Sequence, residues 1–168
     1  MFYKALPSRC RHVLIFEDDA IIRDASNLPS FLNYAHLGAP WRWCAEQWCR
    51  YGGNGGASLR RKDVMLDVIQ EIQCSTNYSC ASVDLYRETE YTVGDNFNQE
   101  DMFLAKQLFS RRLAYENLIP SHLEHLQFAV ETMYYENPVW LHKPWPYLHP
   151  VNVIELMAKA FTHYELPL

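Results

Sequence analysis

Glycine is scarce in this chain. There are six in 168 residues, and four of the six fall between Gly52 and Gly56. A basic excess is also missing: 15 Lys and Arg face 20 Asp and Glu, for a net charge of −5. That balance excludes a nucleic-acid backbone as the main partner, because such binding needs a basic stripe. No apolar run approaches the roughly 20 residues of a membrane span. The opening MFYKALPSRCRHV lacks the apolar centre of a signal peptide. C-x-x-C pairs are absent, and no His follows a Cys at zinc-finger spacing. Cysteines number five, an odd count. Cys44/Cys49 and Cys74/Cys80 lie close enough for small disulfide loops, but the spacing favours structural or free thiols.

What is present is an ordinary globular composition, 49% hydrophobic and 21% charged. Aromatics reach 14%, with five Trp and 11 Tyr. That suits a core or a sugar-stacking cleft equally. Residues 12–17, HVLIFE, predict a short buried strand. A short helical stretch and a strand-like AHLGA follow, closed by Pro40. The Trp-rich segment 41–51 predicts an irregular loop over a cleft. ASLR (57–60) predicts a short strand. Met65, Val68, Ile69 and Ile72 then fall at i, i+3, i+4, i+7, one face of a helix over 62–73. Residues 75–97 read as a long loop. A second helix opens near Asn98, a plausible cap, and carries Asp101, Leu104, Ala105 and Leu108 on one stripe. LQFAVETMYY predicts another strand, NPVWLHKPWPYLHP an extended segment, and VNVIELMAKAF a terminal helix. Strands alternating with helices give an α/β fold class.

Four pieces carry chemistry. Glu17, Asp18 and Asp19 end the first strand, where α/β sheets collect ligands. In an extended chain Glu17 and Asp19 point the same way, making a site for Mg²⁺ or Mn²⁺. A solvated loop would look the same. GGNGG (52–56) reads either as a hairpin turn or as a cradle for a ligand against bare backbone. It is no P-loop, since it lacks the Lys-Ser/Thr ending. Asp101 at a helix start complements the macrodipole or serves as a general base. In LHKPW, His142 is a possible metal ligand and Lys143 a possible phosphate partner.

The order of these pieces resembles a glycosyltransferase-like family, domain of unknown function 5672. Its pattern runs LIFQTDS, GAPW, GNGGLSLR, EDVFFS, FSVE and HKPW. Here the counterparts are LIFEDDA (14–20), GAPW (38–41), GNGGASLR (53–60), EDMFLA (100–105), FAVE (128–131) and HKPW (142–145). The resemblance implies a Rossmann-like type-A glycosyltransferase fold. It also implies a single domain over 1–168 that lacks the N-terminal strands holding the donor's base and ribose. It implies a divalent cation, Mn²⁺ or Mg²⁺, held by Asp19 with Glu17 or Asp18 and by His142. Asn54, Gly55, Gly56, Arg60, Lys143 and Trp41 would bind a nucleotide-sugar donor. Asp101, or failing that Glu100, would deprotonate a glycan or other hydroxyl acceptor in an inverting displacement. Glu17 and Asp18 stand where the family has Gln and Thr, and Ala20 where it has Ser. A carbohydrate-binding remnant without catalysis, and a metal-dependent phosphate-ester hydrolase, are the competing readings. The compartment stays open, with the secretory pathway implied only if a targeting segment precedes Met1.

Overall fold

The computed structural model describes residues 2–76 and 100–161. The chain is mixed α and β, with two small sheets rather than one. Strands β1 (His12–Phe16), β3 (His36–Ala39) and β4 (Asn54–Arg61) form the first, in the order β1-β4-β3, all antiparallel. Strands β2 (Ala20–Ile22), β5 (Ala129–Val130) and β6 (Trp140–His142) form the second, in the order β2-β6-β5. There β2 runs antiparallel to β6 and β5 parallel to it. The helices are α1 (Phe2–Ala5), α2 (Lys62–Thr76), α3 (Glu100–Ser110), α4 (His122–Phe128) and α5 (Pro150–Phe161).

Apolar clusters lie on either side of the first sheet. On one side Met65 and Val68 of α2 meet Leu104 and Leu108 of α3, with Tyr3 of α1. The predicted α3 stripe is therefore the buried one, as is the α2 stripe over Met65 and Val68, and Ile69 packs partly buried against the same cluster. On the other side Leu37, Ala57 and Leu59 pack on Phe31, Phe128 and Trp140. Leu156 and Ala160 of α5 cover Val130 and Leu141 of the second sheet. A fully buried side chain such as Leu104 or Leu108 contributes about 1.5–3 kcal/mol. These helices are held by packing more than by propensity.

Three expectations change. GGNGG is not a hairpin turn: Asn54–Gly56 open β4, which runs to Arg61 and is twice as long as the predicted ASLR. The glycines serve close approach, since none has positive φ. A Cβ on Gly53 would sit 2.3 Å from the Gly38 carbonyl oxygen across the β3/β4 bulge. The strand predicted over 126–135 shrinks to Ala129–Val130. A capping box at Ser121 and Glu124 starts α4 there instead, satisfying two orphan amide donors. The thiols also differ, because Cys44 and Cys49 form a disulfide while Cys10 is free. The predicted loop over 75–97 and the Asn98 cap fall outside the described residues from position 77 onward. Ser75 and Thr76 are the last turn of α2. The Cys74/Cys80 pairing also falls outside them.

Candidate metal centre and its cleft

Strand ends build the site. β1 stops at Phe16, and the chain turns through Glu17–Asp19 before entering β2 in the other sheet. The Ala20 amide donates to the Glu17 carbonyl at 3.1 Å, so the acids sit in a tight turn rather than an extended strand. The expected i, i+2 alignment is therefore not what gathers them. The turn does it, directing Glu17 and Asp19 to one side and leaving Asp18 exposed and outside the cluster.

Register supplies the rest. Ala20 pairs with His142 across β2/β6, which sets Asp19 beside Lys143 one step beyond the ladder. The Lys143 amide donates to the Asp19 carbonyl at 3.2 Å. On the other flank β5 runs parallel to β6 with Val130 opposite Leu141, so Glu131 falls beside His142. Carboxyl ends of β1, β5 and β6 and the amino end of β4 thus lie at the site, a mixture of strand ends that follows from the antiparallel pairings.

Lys143 has a positive φ of 42°. For a non-glycine residue that left-handed conformation costs about 1–2 kcal/mol. Its effect is to break the alternation of a strand, where neighbours face opposite sides. His142 and Lys143 consequently both reach Asp19: His142 Nε2 lies 3.2 Å from Oδ1, and Lys143 Nζ lies 3.3 Å from Oδ2. Glu17 Oε2 approaches the same His nitrogen at 3.6 Å. One donor atom from each of Glu17, Asp19 and His142 lies within 4.8 Å of the others, the spacing of a cation site.

The donor set fits a divalent ion. Asp19 Oδ1 and both His142 ring nitrogens are buried without a well-formed hydrogen bond, their contacts being the 3.2 Å approach of Nε2 to Asp19 and the 3.5 Å approach of Nδ1 to Glu131. Buried polar groups held only by such contacts leave capacity for a further partner. Two carboxylates with one imidazole suit Mn²⁺ better than Mg²⁺, which prefers oxygen alone. Glu131, 6% exposed, sits 3.5 Å from His142 Nδ1 and completes a carboxylate–histidine pair behind the ligand set. Burial presses the His142 ring toward neutrality. Glu131, and then Asp19 and Glu17, outweigh that and raise its pKa above the usual 6.5.

Glycine makes room for this. A Cβ on Gly56 would fall 2.0 Å from His142 Nε2, so the ring lies directly on bare backbone. On Gly55 it would meet Glu100 Oε1 at 2.8 Å. The Asn54 amide group donates to Glu131 Oε1 at 3.3 Å, and its carbonyl oxygen accepts from the Gly56 amide at 2.7 Å. All three residues line a cleft of about 360 Å³ with Glu17, Glu131 and His142.

Across that cleft stands α3. Its buried stripe begins with Asp101, so packing Leu104, Ala105 and Leu108 inward carries the carboxylate to the cleft wall. Asp101 Oδ2 accepts from the Gly55 amide at 3.1 Å, and Oδ1 accepts from the Met102 amide at 2.7 Å. Glu100 is different. It forms a bidentate pair with Arg60, at 2.6 Å and 2.5 Å. Arg60 is 3% exposed and also donates to Ser58 and the Tyr3 hydroxyl. Arg60 therefore stands behind Glu100, fixing the start of α3, and is not on the cleft wall. Glu100 lines the cleft too, with its carboxylate held in that pair.

Trp41 lines the cleft and packs edge-on against Trp48, with centroids 5.9 Å apart. At the cleft Trp43 and Tyr147 pair, both exposed, at 5.5 Å. Sequence reasoning missed Glu131, Trp43 and Tyr147. Glu131 closes the FAVE segment and Tyr147 lies two residues beyond HKPW, and neither was assigned a role.

A model of the family described as Protein of unknown function (DUF5672) matches residues 1–147. The chain belongs to this family. The matched span takes in the whole acid cleft, from Glu17 to Tyr147. No curated protein matches, and no solved structure does.

Proposed function

We propose that this DUF5672 domain is a metal-dependent glycosyltransferase of the Rossmann-like type-A fold. It transfers a sugar from a nucleotide-sugar donor to a hydroxyl acceptor with inversion. The observation that carries this reading is the convergence of Glu17, Asp19 and His142, from positions 125 residues apart at the extremes, with Glu17 and His142 lining a polar cleft. Bound there, a Mn²⁺ ion would neutralise the departing diphosphate. Glu17, Asp19 and His142 hold the ion, and Glu131 fixes the tautomer and angle of His142. Lys143, half-exposed on its left-handed turn, is free to exchange Asp19 for a phosphate oxygen. Asp101 takes the acceptor proton, with the Gly55 amide fixing the orientation of its carboxylate. Asn54, Gly55 and Gly56 form the floor under the sugar, with Trp41 as its side wall. The Cys44–Cys49 disulfide supports a secretory-pathway setting, because such bonds persist in oxidising compartments.

The exposed Trp43–Tyr147 pair favours a second reading, a carbohydrate-binding module without catalysis. Isothermal titration with a panel of nucleoside diphosphates, with and without Mn²⁺, separates the two. A transferase gives heat on adding diphosphate only when Mn²⁺ is present, and Asp19→Asn abolishes it. Glycan binding that persists in chelator, with no diphosphate binding under either condition, would overturn the transferase reading.

A further inference from the structure

Trp41 has a second side. It also lines a cavity of about 590 Å³, bounded by the 41–51 loop and by Ile119, Pro120 and Met133. Both cavities fall in the roughly 300–1,000 Å³ range of small-molecule sites. Their charges are opposite. Arg42, Arg50 and His122 line the second, and among the described residues no carboxylate does. Among the described residues, neither the Arg42 nor the Arg50 guanidinium has a hydrogen-bond or ion-pair partner.

Both side chains are exposed. Arg60 and Arg61 both pair with a nearby acid. The Cys44–Cys49 disulfide lies between the two arginines in sequence and lines the same cavity as both of them. The loop is pinned at its start as well, where the Arg42 amide donates to Thr132 Oγ1 at 3.0 Å. A cavity lined by two arginines, a tryptophan and apolar side chains, on a covalently closed loop, has amphipathic chemistry. The arginines suit an oxyanion by bidentate bonding, and the Trp41 face suits a sugar ring.

We propose that this second cavity binds a sugar ring bearing an anionic substituent, a carboxylate or a phosphate ester. This rests on the transferase reading and names its acceptor class: an acidic saccharide that passes along Trp41 from the basic cavity into the acid cleft. Like charge in the acid cleft turns the anionic substituent away, so the acceptor hydroxyl enters there and the acid stays behind.

The test uses the full chain at low salt, in chelator and without nucleotide, so the metal centre plays no part. Glucuronate, glucose 6-phosphate, glucose and inorganic phosphate are titrated in turn by calorimetry or NMR. The two acidic sugars bind at least tenfold more tightly than glucose and more tightly than phosphate alone. Arg42→Gln with Arg50→Gln reduces them to the glucose level, while Asp19→Asn leaves them unchanged. Arg42→Lys with Arg50→Lys keeps the charge and gives an intermediate affinity, which separates lost recognition from lost folding. Tighter glucuronate assigns the carboxylate, and tighter glucose 6-phosphate assigns the ester. Equal affinity for glucose and the acidic sugars, phosphate binding as tightly as glucose 6-phosphate, or wild-type affinity in the double Gln variant overturns the proposal. Absence of Mn²⁺-dependent diphosphate binding would instead sink the transferase reading and leave this pocket standing.

Discussion

The two cavities that meet at Trp41 are built by different means. Strand register makes the acid cleft: Glu17, Asp19, Glu131 and His142 are placed by pairings between β2, β5 and β6. A covalently closed loop makes the basic one, between Arg42 and Arg50. Backbone ladders fix atoms to a fraction of an ångström, which metal ligation requires. Loops tolerate more movement, which suits a ring held by stacking and two forked cations. The difference teaches that charge of each sign is kept where it is used. The acids converge because each is pinned by a strand end. The arginines remain unpaired because no described acid lies on their rim.

Breaking the acid cleft alone should have the largest effect. Asp19→Asn removes the ligand nearest His142 and is expected to lower Mn²⁺-dependent diphosphate binding by at least 100-fold in calorimetry. Unchanged affinity would show that Asp19 is no ligand.

Next in size is Gly56→Ala. The added methyl would lie 2.0 Å from His142 Nε2, and His142 is buried in β6 with little room to retreat. Overpacking of that kind costs about 1–3 kcal/mol. Displacing the ring should weaken Mn²⁺ about 10–100-fold, the range found when partners of a metal ligand are disturbed. Thermal unfolding and Mn²⁺ titration check both halves.

Two buried histidines sharpen the comparison through pH. His142, among carboxylates, has a raised pKa. In His125, burial outweighs the bond from Nδ1 to the Gly38 carbonyl at 3.0 Å and lowers the pKa from 6.5 to about 4. The signs follow. The His142 contribution to stability is complete below pH 6.5 and is lost as pH rises through its folded value. The His125 contribution is complete above pH 6.5 and is lost as pH falls toward 4, at about 1.4 kcal/mol per pH unit in that window. Metal uptake needs a neutral His142, so Mn²⁺ affinity should rise as pH climbs past its raised pKa. NMR titration of both rings in chelator reads this directly. In Glu131→Gln the His142 value should drop while that of His125 stays put.

The smallest effect belongs to the loop. Cys44→Ser with Cys49→Ser should weaken acidic sugars several-fold by freeing Arg42 relative to Arg50. It should leave Mn²⁺-dependent diphosphate binding unchanged. Equal loss at both sites would mean that the loop supports the whole domain and not one rim.

Much of the architecture was legible in local periodicity. The stripes of α2 and α3 and the amphipathic α5 follow from apolar spacing, and β1 from a run of apolar residues. The site was legible as an ordered series of motifs: His142, Asn54, Gly55, Gly56 and Asp101 line one cleft, and Asp19 lies beside it against His142. Other features were not. LQFAVETMYY read as strand, yet only Ala129–Val130 is one, because a capping box from Ser121 to Glu124 starts a helix that runs on to Phe128. GGNGG read as a turn or a cradle, because glycine marks small space without saying what fills it. His142 and Asp101 fill it here.

By itself, the sequence determined which residue types are available and which local segments are helix or strand, since propensity and periodicity act over a few residues. Tertiary structure alone decided that Glu131 backs His142, that Arg60 occupies Glu100, and that Arg42 and Arg50 share a rim. Those outcomes depend on strand register and loop closure between distant segments. A one-residue shift in such pairing reverses every side chain's face without changing any local signal.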